Sequence, residues 1–129
     1  MQRRVIDRVR ILVIAVLVLF TVQSCDVAKR ANRRPETDAL LRAARAGNAD
    51  TVRTLLASPN VNVNATDEHG NTPLIEAARF GHDEVVTALL IGKADVKTKN
   101  DEGKTALMLA AEGGHDEVVR MLTQAGAGK

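Results

Sequence analysis

The sequence predicts an all-α repeat solenoid, a stack of about three helical units, and three observations carry that expectation. The hexapeptide "GHDEVV" begins at Gly81 and again at Gly114, an interval of 33 residues. Residues 70 to 96 and 103 to 129, overlaid at that interval, agree at 13 of 27 positions, where chance would give about one or two. The chain also lacks Trp and Tyr, and its only Phe residues are Phe20 and Phe80. A core so short of large side chains must be Ala, Leu and Val. A period of this size marks units that stack because none can bury its apolar face alone.

The 129 residues have room for one domain. Their formal net charge of +2 is unevenly spread. Residues 1 to 25 carry four Arg against one Asp, residues 26 to 36 carry four cations against two acids, and residues 37 to 129 carry ten against thirteen. The repeat region is therefore acidic, which disfavours binding to a nucleic-acid duplex.

The chain opens with "MQRRVIDRVR", and the twelve residues "ILVIAVLVLFTV" that follow are apolar apart from Thr21. A cationic stretch ahead of an apolar one is the anatomy of a secretory signal, here residues 1–24. The uncharged run from Ile11 to Ser24 is 14 residues long, about 21 Å as a helix against a hydrocarbon core of about 30 Å. It is short for a span, although an uncleaved signal anchor can cross by thinning the bilayer. Cations stay on the cytoplasmic side in either case, so everything after Cys25 is expected outside the cytoplasm.

The segment ends in "VQSC", and Cys25 is the only cysteine. It resembles the lipobox of bacterial lipoproteins, with Val22 and Ser24 fitting and Gln23 less usual at its place. That resemblance implies that Cys25 receives a diacylglycerol and becomes the first residue of the mature protein. A thiol at the membrane surface is the nucleophile such a transfer needs, and two or more acyl chains anchor stably where one does not. Val22 and Ser24 equally suit ordinary cleavage after Ser24, which would release a soluble protein. Lipidation, soluble secretion and an uncleaved anchor stay open at this point. Asp26 resembles the signal by which enterobacterial lipoproteins stay in the inner membrane. Residues 25–36 then read as a lipid-anchored stalk whose Lys29, Arg30, Arg33 and Arg34 are either a solvated linker or a contact with anionic headgroups.

The repeats are expected at about 37–69, 70–102 and 103–129. In the second, Thr72 can cap a helix that starts at Pro73, whose fixed φ suits the first helical position. Leu74, Ala77 and Ala78 share one face, and the alanines let neighbouring helices approach closely. Gly81 ends that helix in a left-handed conformation. Asp83 and Glu84 lie at the positive end of the next helix, and Val85, Val86, Leu89 and Leu90 form its buried stripe. The third repeat reruns this pattern, with Ala110 and Ala111 for the alanines and Ala106 in place of the proline. The first is fainter: Ala43, Ala44, Gly47, Leu55 and Leu56 precede their counterparts by 34 residues, the extra residue falling in a connection where an insertion costs little. Thr123 and Gln124 replace Leu90 and Ile91, the polar face of a capping repeat.

The stretch "GNTPLIEAARFGHDEVVTALL" resembles the ankyrin repeat, and the resemblance covers residues 37–129. It implies a stack that binds other proteins through its hairpin tips and the exposed side of each first helix. Carried over by position, those surfaces are Glu68, His69, Asn71, Arg79 and Phe80 in the second repeat and Asp101, Glu102, Lys104 and Glu112 in the third, with Arg45 as their counterpart in the first.

Chemistry is sparse. His82 and His115 occupy equivalent places in successive repeats and read as structural, and His69 sits at a hairpin tip. No phosphate-binding loop, metal-ligand spacing or activated nucleophile is present in the sequence. The expectation is a non-enzyme without metal, cofactor, small-molecule substrate or nucleic acid. Together with the lipobox, it is a periplasm-facing module, at the inner membrane by Asp26, that binds or inhibits an envelope protein such as an enzyme or a toxin. The alternative is a structural envelope lipoprotein without a dedicated client.

Overall fold

Six helices in three consecutive pairs occupy residues 34–127, the range that a computed structural model of the chain describes. The signal segment, Cys25, Asp26 and the stalk as far as Arg33 lie outside the described residues. Repeat one contains α1 (Pro35–Ala46) and α2 (Ala49–Leu56), repeat two α3 (Pro73–Phe80) and α4 (Asp83–Ile91), and repeat three α5 (Ala106–Glu112) and α6 (Asp116–Gln124). The first helices pack in one row, α1 on α3 on α5, and the second helices in another, α2 on α4 on α6. Helix α1 starts at Pro35, inside the stretch read as stalk, because proline's fixed φ suits a first helical position.

Local chemistry sets the helix ends. Thr72 Oγ1 accepts from Ile75 N at 3.2 Å, and Thr105 Oγ1 accepts from Met108 N at 3.3 Å. Asn48 Oδ1 does the same for Thr51 N at 3.1 Å. Each such cap contributes about 1 kcal/mol. His82 and His115 precede α4 and α6 but make no side-chain cap. Instead, His82 Nε2–H donates to the carbonyl of Arg45 at 3.0 Å, and His115 Nε2–H donates to that of Arg79 at 3.1 Å. Each imidazole thus ties its own repeat to the one before it.

That tie explains why glycine recurs ahead of the histidine. Gly81 has φ 72°, a left-handed conformation that closes α3. A Cβ there would also run into the His115 ring, just as one on Gly47 would lie 2.7 Å from His82 Nδ1. Nothing lies within 4 Å of a Cβ built on Gly114, because no described repeat follows it.

Between the rows lies the expected core of small and branched residues. Leu40, Val52, Leu74, Ile75, Val85, Val86, Leu89, Val118 and Leu122 are at most 1% exposed. Burying such a side chain fully contributes about 1.5–3 kcal/mol. Leu90 is only half-buried, and Ala111 is exposed where its counterpart Ala78 is fully buried. The second difference follows from position in the stack, since Ala78 is covered by the next repeat. The capping pattern is divided. Thr123 is exposed where Leu90 is half-buried, but Ile91 is already 78% exposed, so Gln124 in its place covers nothing.

The hairpin connections are chains of turns, and no strand occurs among the described residues. Each tip keeps one hairpin-like backbone bond, Asp67 N to Asn71 O and Asn100 N to Lys104 O, both 3.0 Å. Side chains supply the rest: Asp67 Oδ1 accepts from His69 N and Asn71 N, and Asn100 Oδ1 from Glu102 N and Lys104 N. These local bonds hold the turn without a ladder.

Candidate functional site

The tips run directly into the first helices, so residues 67–71 and 100–104 lie beside the last turns of α1, α3 and α5. Arg45, in the last turn of α1, shows how this edge is held. Its Nε donates to Glu76 Oε2 at 3.0 Å and its Nη2 to Glu76 Oε1 at 3.1 Å. Nη2 also lies 3.5 Å from Asp67 Oδ2 at the neighbouring tip. Glu76 is 1% exposed, whereas the Arg45 side chain is 56% exposed. The hydrogen bond to Glu76, then its charge, raise the Arg45 guanidinium above its already high ordinary value. For Asp67, burial works to raise the carboxyl, but the backbone N–H groups of Asn71 and His69 outweigh it and hold the group below its ordinary range.

The third repeat arranges its charges differently. Lys104 Nζ lies 2.9 Å from Glu112 Oε2 and 3.7 Å from Glu102 Oε2. The hydrogen bond to Glu112 is the main cause that raises the ammonium above its ordinary range. Arg79 stands beside this cluster on the rim of a recess of about 240 Å³, together with Glu102, Lys104, Leu109 and Glu112. Its guanidinium makes no hydrogen bond or ion pair among the described residues.

The residues named from the sequence divide into two groups. Glu68, His69, Arg79, Phe80, Asp101, Glu102 and Glu112 are exposed, and Lys104 is half-buried. Phe80 is 48% exposed, with its ring stacked on that of His82 at 6.2 Å between centroids. Asn71 is the correction. It is 3% exposed, its Nδ2 donates to Asp67 Oδ2 at 3.2 Å, and its Oδ1 accepts from Asn100 Nδ2 at 3.0 Å. Asn71 therefore joins one tip to the next and has no face left for a partner. A backbone bond from Asp101 N to His69 O, 3.0 Å, reinforces that junction.

Glu76 is the residue that the sequence reading passed over. The available signal was an acid inside "PLIEAA", otherwise a run of small and apolar residues. A carboxylate there must be paired if it is buried. Cys25 and Asp26 lie outside the described residues, and no three His, Cys, Asp or Glu side chains among the described residues form a group that could hold a metal.

Much of the buried framework recurs between repeats two and three, and several exposed tip and helix-end positions differ. Gly81, His82, Val85, Val86 and Leu89 recur as Gly114, His115, Val118, Val119 and Leu122, whereas His69, Arg79 and Phe80 become Glu102, Glu112 and Gly113. A family model described as ankyrin repeats, three copies, matches the chain over residues 13–100 and again over residues 40–129.

Proposed function

Since the chain belongs to the ankyrin-repeat family, a protein-protein interaction module, we propose that this stack is a non-catalytic module, lipid-anchored through Cys25 on the outer side of the cytoplasmic membrane, that binds or inhibits a protein of the cell envelope. One observation carries the binding part. His69, Arg79 and Phe80, exposed at the tip and helix end of repeat two, have no like counterpart in repeat three, while the Gly81, Val85, Val86 and Leu89 framework recurs, so the scaffold leaves an edge with exposed side chains that packing does not require. Exposed, non-packing residues on a rigid scaffold are where recognition is placed.

The anchoring part is supported by the sequence: the Arg-rich start, the uncharged, mostly apolar run ending at Ser24, and the single cysteine immediately after it. In this reading Asp26 holds the protein at the inner membrane and the stalk keeps the stack close to the surface. A protein partner is implied by the repeats, and the lipid anchor makes it a protein of the envelope.

Metabolic labelling with a radioactive or clickable fatty acid tests the anchor. The wild-type chain should take up label, and Cys25→Ser should accumulate as unprocessed precursor without it. No label in either would end the lipoprotein reading and leave a secreted or signal-anchored protein. For Asp26, sucrose-gradient fractionation of Asp26→Ser should show movement to the outer membrane in a double-membraned host; an unchanged distribution removes the sorting role alone.

A further inference from the structure

Near the end of its first helix, each repeat carries a charged residue at an equivalent place: Arg45, Arg79 and Glu112. Arg45 shows what a guanidinium does there when a carboxylate is in reach. It closes a two-point bond on Glu76 of the following repeat, at 3.0 and 3.1 Å. One step along the stack the counterpart of Glu76 is Leu109, 8% exposed. Arg79 has therefore lost the acceptor that its counterpart uses, and it makes no polar side-chain contact among the described residues. The other cation nearby is engaged, since Lys104 lies 2.9 Å from Glu112 and 3.7 Å from Glu102.

We infer that Arg79 is the specificity-determining contact for a protein segment carrying a glutamate or aspartate side chain, which enters the recess beside Leu109 and pairs with Arg79 as Glu76 pairs with Arg45. This rests on the protein-binding reading of the same edge and narrows it to one chemistry. The guanidinium is planar and presents paired donors, the geometry that a carboxylate matches with two parallel bonds. Leu109 gives the methylene part of the incoming side chain an apolar wall. A singly charged carboxylate suits the recess better than a phosphate. The charges of Arg79, Lys104, Glu102 and Glu112 cancel, so the two resident acids would oppose a doubly charged group that only one cation is free to meet.

The probe is a random peptide library displayed on phage and selected on the immobilised full-length chain, followed by affinity measurements on the best synthetic peptide. Selected peptides should share an Asp or Glu, and Arg79→Leu should weaken them about tenfold or more, the size expected for a charge-assisted two-point bond. Changing the shared acid to its amide should cost the same, with no further loss when both changes are combined. Arg79→Lys should restore only part of the affinity, because an ammonium cannot make the fork. Peptides without a shared acid, or peptides that bind Arg79→Leu as tightly as wild type, would overturn the inference. His69→Ala and Phe80→Ala separate the two ways of failing. If they weaken peptides that Arg79→Leu leaves alone, the edge binds protein but not through a carboxylate on Arg79. If all three variants are silent, the binding role of the edge fails as well.

Discussion

Glu76, almost fully buried in α3, receives two hydrogen bonds from Arg45, which belongs to the repeat before it and is more than half exposed. The pair is a bolt between repeats rather than a surface decoration, because one partner has no water to fall back on. Removing the cation should therefore cost more than replacing both partners. Arg45→Ala is expected to destabilise by about 2 kcal/mol, a figure kept low because the arginine is solvent-screened. Glu76→Leu with Arg45→Ala should recover most of that loss, since Leu109 already fills the same place in the next repeat. Urea unfolding of the two variants beside wild type reads the difference.

Asp67 makes the stack sensitive to acid. Its carboxyl is held below the ordinary 3.8 in the folded chain, with backbone N–H donors overcoming the effect of burial. A depressed folded value means stability that is fully present above the unfolded value and is lost as pH falls through the folded one. The loss should therefore begin near pH 3.8 and grow below it. Asp67→Asn keeps an acceptor for the turn, as Asn100 does in repeat three. It should flatten this part of the pH dependence in unfolding curves taken across the acid range.

Lys93 is the one non-glycine residue with positive φ among the described residues, at 61°, and its counterpart in repeat three is Gly126 at 98°. A left-handed conformation costs an ordinary residue about 1–2 kcal/mol, part of which glycine returns as extra freedom in the unfolded chain. Lys93→Gly is expected to raise stability by about 0.5–1 kcal/mol. Thermal unfolding monitored by circular dichroism checks it.

Gly81 and Gly114 share φ 72°, yet only Gly81 has a histidine from the next repeat across it. Gly114→Ala should show the conformational cost alone, about 1–2 kcal/mol. Gly81→Ala should cost more, by about 1 kcal/mol or above, because the His115 ring must move and its bond to the Arg79 carbonyl is put at risk. Adding His115→Ala should reduce that excess, and equal losses at the two glycines would refute this account of the Gly-His pair.

The recurring segment made the fold legible because the physics behind it is local and repeats: a threonine cap, a left-handed glycine, two acids at a helix start and a branched stripe. The Glu76–Arg45 and Asn71–Asn100 bonds were not legible for the opposite reason. They join residues 31 and 29 positions apart, and overlaying repeats shows which residues are equivalent, not which ones touch. Asn71 was misread because a tip position implied exposure, which holds better for its counterpart Lys104. Among the described residues no further tip covers Lys104, whereas Asn71 is enclosed by the tip of repeat three. Ala111 was misread in the other direction, since equivalence to Ala78 implied burial that only a following repeat would supply. The exposure of Arg79 and Phe80 was foreseeable, but the missing carboxylate opposite Arg79 emerged only when Leu109 was seen at the place of Glu76.

In the proposed function the edge at Arg79 and Phe80 meets a protein partner and is not merely solvated surface. A photo-crosslinking amino acid placed at residue 80 of the full-length chain, and separately at Ile91, which is 78% exposed on the second helix of the same repeat, tests it in the native host cell. Benzoylphenylalanine keeps an aromatic ring at residue 80, so folding should be little changed. The account predicts a discrete crosslinked protein from residue 80 on irradiation, absent from residue 91 and lost when Arg79→Leu is added. Equal crosslinking from both positions, or none from residue 80, would contradict it.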